Sequence, residues 1–426
     1  MSATQAMSKL AIDGGTPAVR QPLPPMYPGG MRIGKEEEDA VLEVLRSKRL
    51  FRYYGPYEGP SKVAELEKAF AAHMGSEYGL AVTSGTGALI CSLSGIGIGP
   101  GDEVIVPAYT WIASASAVFA LGGVPIPAEI DDSLTLDAAD VKRRITRHTR
   151  AIMPVHMRGA PTDMDALMDV AHEHNLQVVE DTAQADGASY HGRRLGSIGD
   201  VGAFSLQFNK IITSGEGGMV ITNSRDIWKR AVMFHDVIGG TRNGIPEDEV
   251  LPGVNFRMTE LQGAVALAQL HKLDGLLDQM RERKAMLKAS MEGVAKRKGV
   301  TFRKENDPSG DAAVCLIFFL PEPERAHKVA EALTAEGAGA GVIYTPGHSD
   351  YHIYPYWSPI MAKRTWTPTS GPWRWHEGEV NYTPDMCPHT LGLLGRAVQM
   401  DVSPDLTNDQ VEEVAEALNK VLEALA

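Results

Sequence analysis

Between residues 78 and 223 the chain alternates short, continuously apolar runs with segments of helical pattern. The strand-like runs are "YGLAVTS" (78–84), "DEVIVPA" (102–108), "VPIPAEI" (124–130), "RAIMPVHM" (150–157), "LQVVEDT" (176–182), "VGAFSLQ" (201–207) and "GGMVITN" (217–223). Helix-like segments such as "GTGALICSLSGIG" (85–97), "WIASASAVFALGG" (111–123) and "DMDALMDVAHEHN" (163–175) separate them. Strands that are apolar throughout need cover on both faces. The alternation therefore predicts an α/β fold with a mostly parallel, doubly wound sheet. Such sheets bind ligands beyond the carboxyl ends of their strands, so the residues just after each run are the first place to look for chemistry.

The flanking regions differ. Residues 1–32 are rich in Pro and Gly and read as an N-terminal arm. Residues 33–265 form the large domain, and residues 266–426 a smaller α+β domain. The segment 258–294 reads as one long helix between them, and "AAVCLIFFL" (312–320) is the one apolar strand evident in the C-terminal part. Residues 348–389 hold Trp357, Trp366, Trp373 and Trp375 among Tyr and Pro, and read as a long loop excursion of the small domain.

Composition narrows the function classes. A net charge of -13 argues against nucleic acid and offers no basic patch for a membrane surface. No apolar run is long enough to span a bilayer. Cys91, Cys315 and Cys387 lie far apart in sequence, forming neither a metal spacing nor a disulfide framework. The expectation is a cytoplasmic enzyme with no metal.

Lys210 sits between two apolar runs in "FSLQFNKIITSGEGGMVITN" (204–223). Most lysines are solvated surface residues, but one partly removed from water has a lowered pKa and can form a Schiff base. "VTSGTGALI" (82–90) is a strand, a tight turn and a helix start, which places the amides of Gly85 and Thr86 where an anion can approach; an ordinary capped helix reads the same way. "VVEDTAQADGA" (178–188) puts Asp181 at the end of a buried strand and Gln184 three residues on, although an N-cap Asp fits as well. Trp111 follows another strand and offers a ring-stacking face or a core residue. Pyridoxal phosphate needs a phosphate cup, a carboxylate at its pyridine nitrogen, a flat side chain against its ring and a lysine. Thr86, Asp181 and Lys210 supply three of these, each at a strand's end.

In these motifs the chain resembles the DegT/DnrJ/EryC1/StrS aminotransferases, a branch of the fold type I pyridoxal-phosphate enzymes. The resemblance runs from "AIDGGTPAVR" to "MDVSP". It rests on "VTSGTGAL", "GPGDEVIVPAYTWIASA", "IMPVHMRGAPTDMDAL", "VVEDTAQADGA", "FSLQFNKIITSGEGGMVITN" and "GVNFRMTELQGAVALAQL" in that order. In wording it is nearest to the cyclitol (scyllo-inosose) aminotransferases and the 3-amino-5-hydroxybenzoate synthases. The resemblance implies Lys210 as the Schiff-base lysine and Asp181 as the carboxylate at the pyridine nitrogen. It further implies Gln184 as its neighbour over the cofactor, Trp111 as the stacking aromatic, and Gly85, Thr86 and Ser205 as phosphate and cofactor contacts. Asn255 is implied to reach the cofactor of a neighbouring subunit, which makes the protein a homodimer with shared active sites.

The activity so implied moves an amino group from L-glutamine or L-glutamate to a ketone on a sugar or cyclitol, with the cofactor passing through its aminated form, pyridoxamine phosphate. Small molecules are then the other partners. A non-catalytic pyridoxal-phosphate-binding regulator and an elimination enzyme are the alternatives; the acidic balance disfavours the first and the presence of Lys210 the second. For the substrate, Tyr54, His156 and Gln207 are the candidates. Tyr54 belongs to "FRYYGPYEG" (51–59), read as bordering the pocket. The "GIGIGPGD" loop (95–102) follows a helix instead of a strand, the wrong order for a dinucleotide site.

Overall fold

A computed structural model describes residues 9–53 and 61–426. The large sheet contains β1 (Tyr78–Val82), β2 (Glu103–Pro107), β3 (Val124–Ala128), β4 (Thr149–Ile152) and β5 (Gln177–Asp181). After a short hairpin of β6 (Ser189–Tyr190) and β7 (Arg193–Arg194), β8 (Val201–Ser205) and β9 (Gly218–Thr222) complete it. The strand order is β1-β9-β8-β5-β4-β2-β3. Pairings from β8 through β3 are parallel, while β9 runs antiparallel to both of its neighbours.

Alternate residues of these strands enter two different cores, as a doubly wound sheet requires. Ile105, Val178, Met219 and Ile221 face one core together with Leu66, Phe70 and Leu167. Val104, Val106, Val179 and Val220 face the other, under the helices Gly85–Gly95, Ala113–Ala120 and Arg225–His235.

The segment expected to be one long helix is two, Glu260–Leu270 and Leu273–Lys298, with a break at His271 and Lys272. The C-terminal part holds a four-stranded antiparallel sheet: β10 (Thr301–Phe302), β11 (Cys315–Phe319), β12 (Ala340–Val342) and β13 (Ala397–Asp401), in the order β10-β11-β13-β12. Sequence reading found only β11. The other three strands are short or of mixed polarity, and their pairing comes from distant chain. One face of this sheet packs Leu316, Phe318, Val398 and Met400 against the C-terminal helices. The other turns Cys315, Ile317 and Phe319 toward Tyr109, Val155 and Met157, which follow strands β2 and β4 of the large sheet.

The aromatic excursion packs back on the large sheet. Tyr354, Trp357, Ile360 and Cys387 are buried in the same core as β1 and β2. Tyr382 Oη donates to the Pro125 carbonyl at 2.7 Å, and buried His376 pairs with Glu103 at 3.2 Å. The arm is also anchored. Ala11 and Ala18 donate their amides to the carboxylate of buried Glu336, at 2.8 and 2.9 Å.

Candidate active site

β5 and β8 deliver their last residues, Asp181 and Ser205, to one cleft of about 800 Å³. β5 ends in Asp181, which is 4% exposed. Its Oδ2 accepts from Ser114 Oγ at 2.8 Å and its Oδ1 from the Ala183 amide at 3.1 Å. Ser114 in turn shares a 2.8 Å hydrogen bond with Thr110. Burial raises the Asp181 carboxyl pKa, while Ser114, Ala183 and the nearby Lys210 charge favour its ionised form.

The preceding residue, Glu180, points to the opposite side. It is fully buried and accepts from the amides of Gly196, Ile198 and Gly199 at 2.6–2.7 Å. Its remaining partner is His156, at 3.0 Å. Burial works against the Glu180 charge, but His156 and the amides outweigh it and hold the carboxyl below its ordinary pKa. This corrects the expectation for His156. Its ring is fully buried between Glu180 and the Thr162 amide and does not line the cleft. It is used up in holding β5 and is not available to substrate.

Lys210 lies in the loop that joins β8 to antiparallel β9. The loop closes on itself: Ser214 donates to the Leu206 carbonyl at 3.0 Å, and Leu206 to Gly217 at 2.9 Å. Gly215 takes a left-handed φ of 83°, which glycine adopts without steric cost. The Lys210 amide is tied to the Gln207 carbonyl at 3.0 Å, and its carbonyl accepts from Gly29 of the arm at 3.2 Å. The side chain reaches the cleft. Burial lowers its pKa; Asp186 and Asp181 oppose that shift and Arg158 adds to it.

Gly85 opens the helix that follows β1, and Ser84 caps it by accepting from the Gly87 amide at 3.0 Å. The first amides of a helix have no intrahelical acceptor. They and the helix dipole favour an anion here. A Cβ on Gly85 would sit 2.6 Å from Ser205 Cβ, so the backbone and the serine form a tight cradle that only glycine permits. Thr86, Ser205, Gln184, Trp111 and Gln207 also line the cleft. Trp111 is 47% exposed, its ring 4.9 Å from that of His352 in the excursion.

An anion cradle, a buried carboxylate, an aromatic face and a lysine of lowered pKa are the donor set that pyridoxal phosphate requires, and these residues fit it. Gly85, Thr86 and Ser205 would hold its phosphate, Asp181 its ring nitrogen, and Lys210 its aldehyde carbon.

Asn255 is exposed and lies outside its own chain's cleft, with its Oδ1 accepting from the Arg257 amide at 3.2 Å. Tyr54 lies outside the described residues. Its neighbours Arg52 and Tyr53 do not line the cleft: Arg52 is paired with Glu67, and Tyr53 packs beside Arg242.

Sequence reading missed several groups. Ser114 was visible in "PAYTWIAS" but lacked a partner until β2 and β5 came together. Asp186 is fully buried with neither carboxylate oxygen hydrogen-bonded, and burial pushes its pKa up to about 8 against the pull of the Lys210 charge. Arg158, from "MPVHMRG", also lines the cleft, as do Tyr27 of the arm and Asp401 of β13.

Residues 31–370 match the model of the DegT/DnrJ/EryC1/StrS aminotransferase family. The chain is 36% identical over 373 residues to an L-glutamine:2-deoxy-scyllo-inosose aminotransferase of Streptoalloteichus tenebrarius, covering 83% of this chain and 84% of that one. It is 42% identical over 255 residues to a GDP-perosamine synthase of Caulobacter vibrioides, covering 59% of this chain and 66% of that one. Among solved structures, it is similar to 3-amino-5-hydroxybenzoic acid synthase, with a TM-score of 0.78 and 27% identity over 95% of this chain and 100% of that one.

Proposed function

Because the chain belongs to the DegT/DnrJ/EryC1/StrS aminotransferase family and is a pyridoxal-phosphate-dependent aminotransferase, we propose that it moves the amino group of L-glutamine or L-glutamate to a ketone on a cyclitol or sugar. The observation that carries the reading is the meeting of Lys210 and Asp181 from separate strand ends in one cleft. The names of its relatives, which act on inososes and make an amino sugar, give the acceptor class.

When bound, the cofactor supplies an electron sink for the carbon that loses a proton. The protein's residues do the rest. Asp181, fixed by Ser114 and Ala183, holds a proton on the ring nitrogen. Lys210 Nζ, its pKa lowered by burial, would serve as an uncharged base that moves a proton from the donor's α-carbon to the cofactor's former aldehyde carbon, and in the reverse direction from that carbon to the acceptor. The Gly85 cradle fixes the phosphate so that the ring does not shift between the two half-reactions.

We also propose a homodimer. Asn255 faces away from its own cleft, and the surface around it exposes Val237, Ile238, Leu251 and Val254. On this reading Asn255 completes the partner's cofactor site, and Gln207 and Tyr54 border the acceptor. No helix among the described residues is long and apolar enough to cross a membrane, and the three cysteines are free and buried, which supports a cytoplasmic location.

The acceptor assignment is tested by charging the enzyme with L-glutamine, removing the donor, and offering keto-cyclitols and nucleotide-linked keto-sugars one at a time. An amine product from either group is expected. Amination confined to simple 2-keto acids would overturn the acceptor class.

A further inference from the structure

Arg158 stands on a backbone that most residues avoid. Its φ and ψ are 54° and 39°, in the left-handed region, which a residue with a Cβ enters at a cost. The turn is fastened on both sides. The Arg158 amide donates to Gln184 Oε1 at 3.1 Å, and its carbonyl accepts from Arg303 at 3.5 Å and from the Cys315 thiol at 3.8 Å. Both domains therefore hold the residue in place, and the result is a guanidinium at the cleft wall.

That guanidinium has not been neutralised. It joins no ion pair among the described residues, and its Nε is buried without a hydrogen-bond partner. Beside it, the Tyr109 hydroxyl is buried behind the cleft wall and interacts with the Arg158 side chain. Burial opposes the Arg158 charge, but Tyr109 and Cys315 favour it and Asp401 adds from farther off, so the group stays cationic. A cation with a buried, unpaired donor is costly unless something fills it.

The charges in the cleft leave little choice of ligand. Among the described cleft-lining residues, Lys210 and Arg158 are the only lysine or arginine side chains, and burial lowers the Lys210 pKa. Lys210 is committed to the cofactor, and the cofactor's phosphate has its own cradle at Gly85 and Ser205. An amino-acid donor brings a carboxylate that loses its water on entering, and a planar guanidinium is the side chain best matched to it.

We propose that Arg158, positioned by Gln184, Arg303 and Cys315, binds the α-carboxylate of the amino donor. The inference rests on the donor reading given above and adds the residue that selects an amino acid over a simple amine.

The test is calorimetric titration of the cofactor-loaded enzyme with glutaramate, which is glutamine without its amino group, and with the neutral diamide glutaramide. Neither can react. Wild type is expected to bind glutaramate better. Arg158→Gln and Arg158→Met are expected to weaken glutaramate by roughly 10- to 100-fold, the span of one charge-assisted pair, with glutaramide unchanged. Arg158→Lys, lacking the two-pronged fork, should fall between. An unaltered absorption band of the bound cofactor shows that the variants fold. Glutaramate binding to Arg158→Gln as tightly as to wild type overturns the proposal. So does a variant that keeps glutaramate but loses only an acceptor bearing a carboxylate or phosphate, since the anchor would then serve the acceptor. If wild type binds glutaramate through Arg158 yet ignores both glutamine and glutamate, the choice of donor fails while the carboxylate anchor stands.

Discussion

Asp181 and Glu180 are neighbours in sequence with opposite duties, because successive strand residues face opposite sides. Asp181 looks into the cleft with Ser114 behind it. Glu180 looks away and is saturated by three amides and His156. Ser114→Ala removes a donor that stabilises the Asp181 anion, so the Asp181 pKa should rise. The acid limb of the kcat/KM profile should move to higher pH and activity at neutral pH should fall by about 10-fold, the scale of one hydrogen bond to a charge. Asp186 makes a different prediction. Its folded-state pKa of about 8 lies above the ordinary 3.8, so between those values the native state holds a proton that the unfolded chain has released. Its contribution to stability is full below the lower value and lost as pH rises through the upper one. Urea midpoints measured at pH 5 and pH 8.5 should drop less for Asp186→Asn than for wild type; equal drops would mean Asp186 is ionised throughout. Lys210, Asp181 and Gly85 were legible in the sequence because each follows an apolar run that can only be a strand. Arg158 and Asp186 were not. Their meaning depends on what fails to pair with them, and that is a property of the packed chain.

At the level of elements, the large sheet was legible because its strands are apolar on both faces, a pattern few other structures produce. The break at His271 was hidden because apolar spacing continues across it. The aromatic excursion was read as a loop of the small domain, since sequence order places it there. It instead seals the large sheet's edge through Tyr382, His376 and Trp357, and brings His352 to Trp111 at the cleft mouth. Tyr382→Phe deletes the bond to the Pro125 carbonyl and should cost about 1 kcal/mol in urea unfolding. The arm has a sharper dependence. Glu336 binds two of its amides and also pairs with Lys420. Glu336→Gln keeps an acceptor but loses the charge, and should destabilise by about 1–3 kcal/mol. Because the arm continues to Gly29 against the Lys210 carbonyl, the same variant should expose residues 10–29 to faster hydrogen exchange. Unchanged exchange there would separate the arm from Glu336.

For the molecule as a whole, the cleft is built from segments distant in sequence, from Tyr27 of the arm to Asp401 of β13. On the dimer proposal a second chain adds Asn255. Asn255→Ala should then weaken cofactor retention without changing the single-chain fold, and sedimentation should report a dimer for wild type; a monomer with full activity would remove the shared site. On the proposed function one atom, Lys210 Nζ, is the point where the cofactor is held. Borohydride reduction of the cofactor-loaded protein, followed by proteolysis and mass mapping, tests this directly. One phosphopyridoxyl group per chain is expected, on the peptide containing Lys210, and none in Lys210→Ala. A group carried by another lysine, or full labelling of the Lys210→Ala protein, would contradict it.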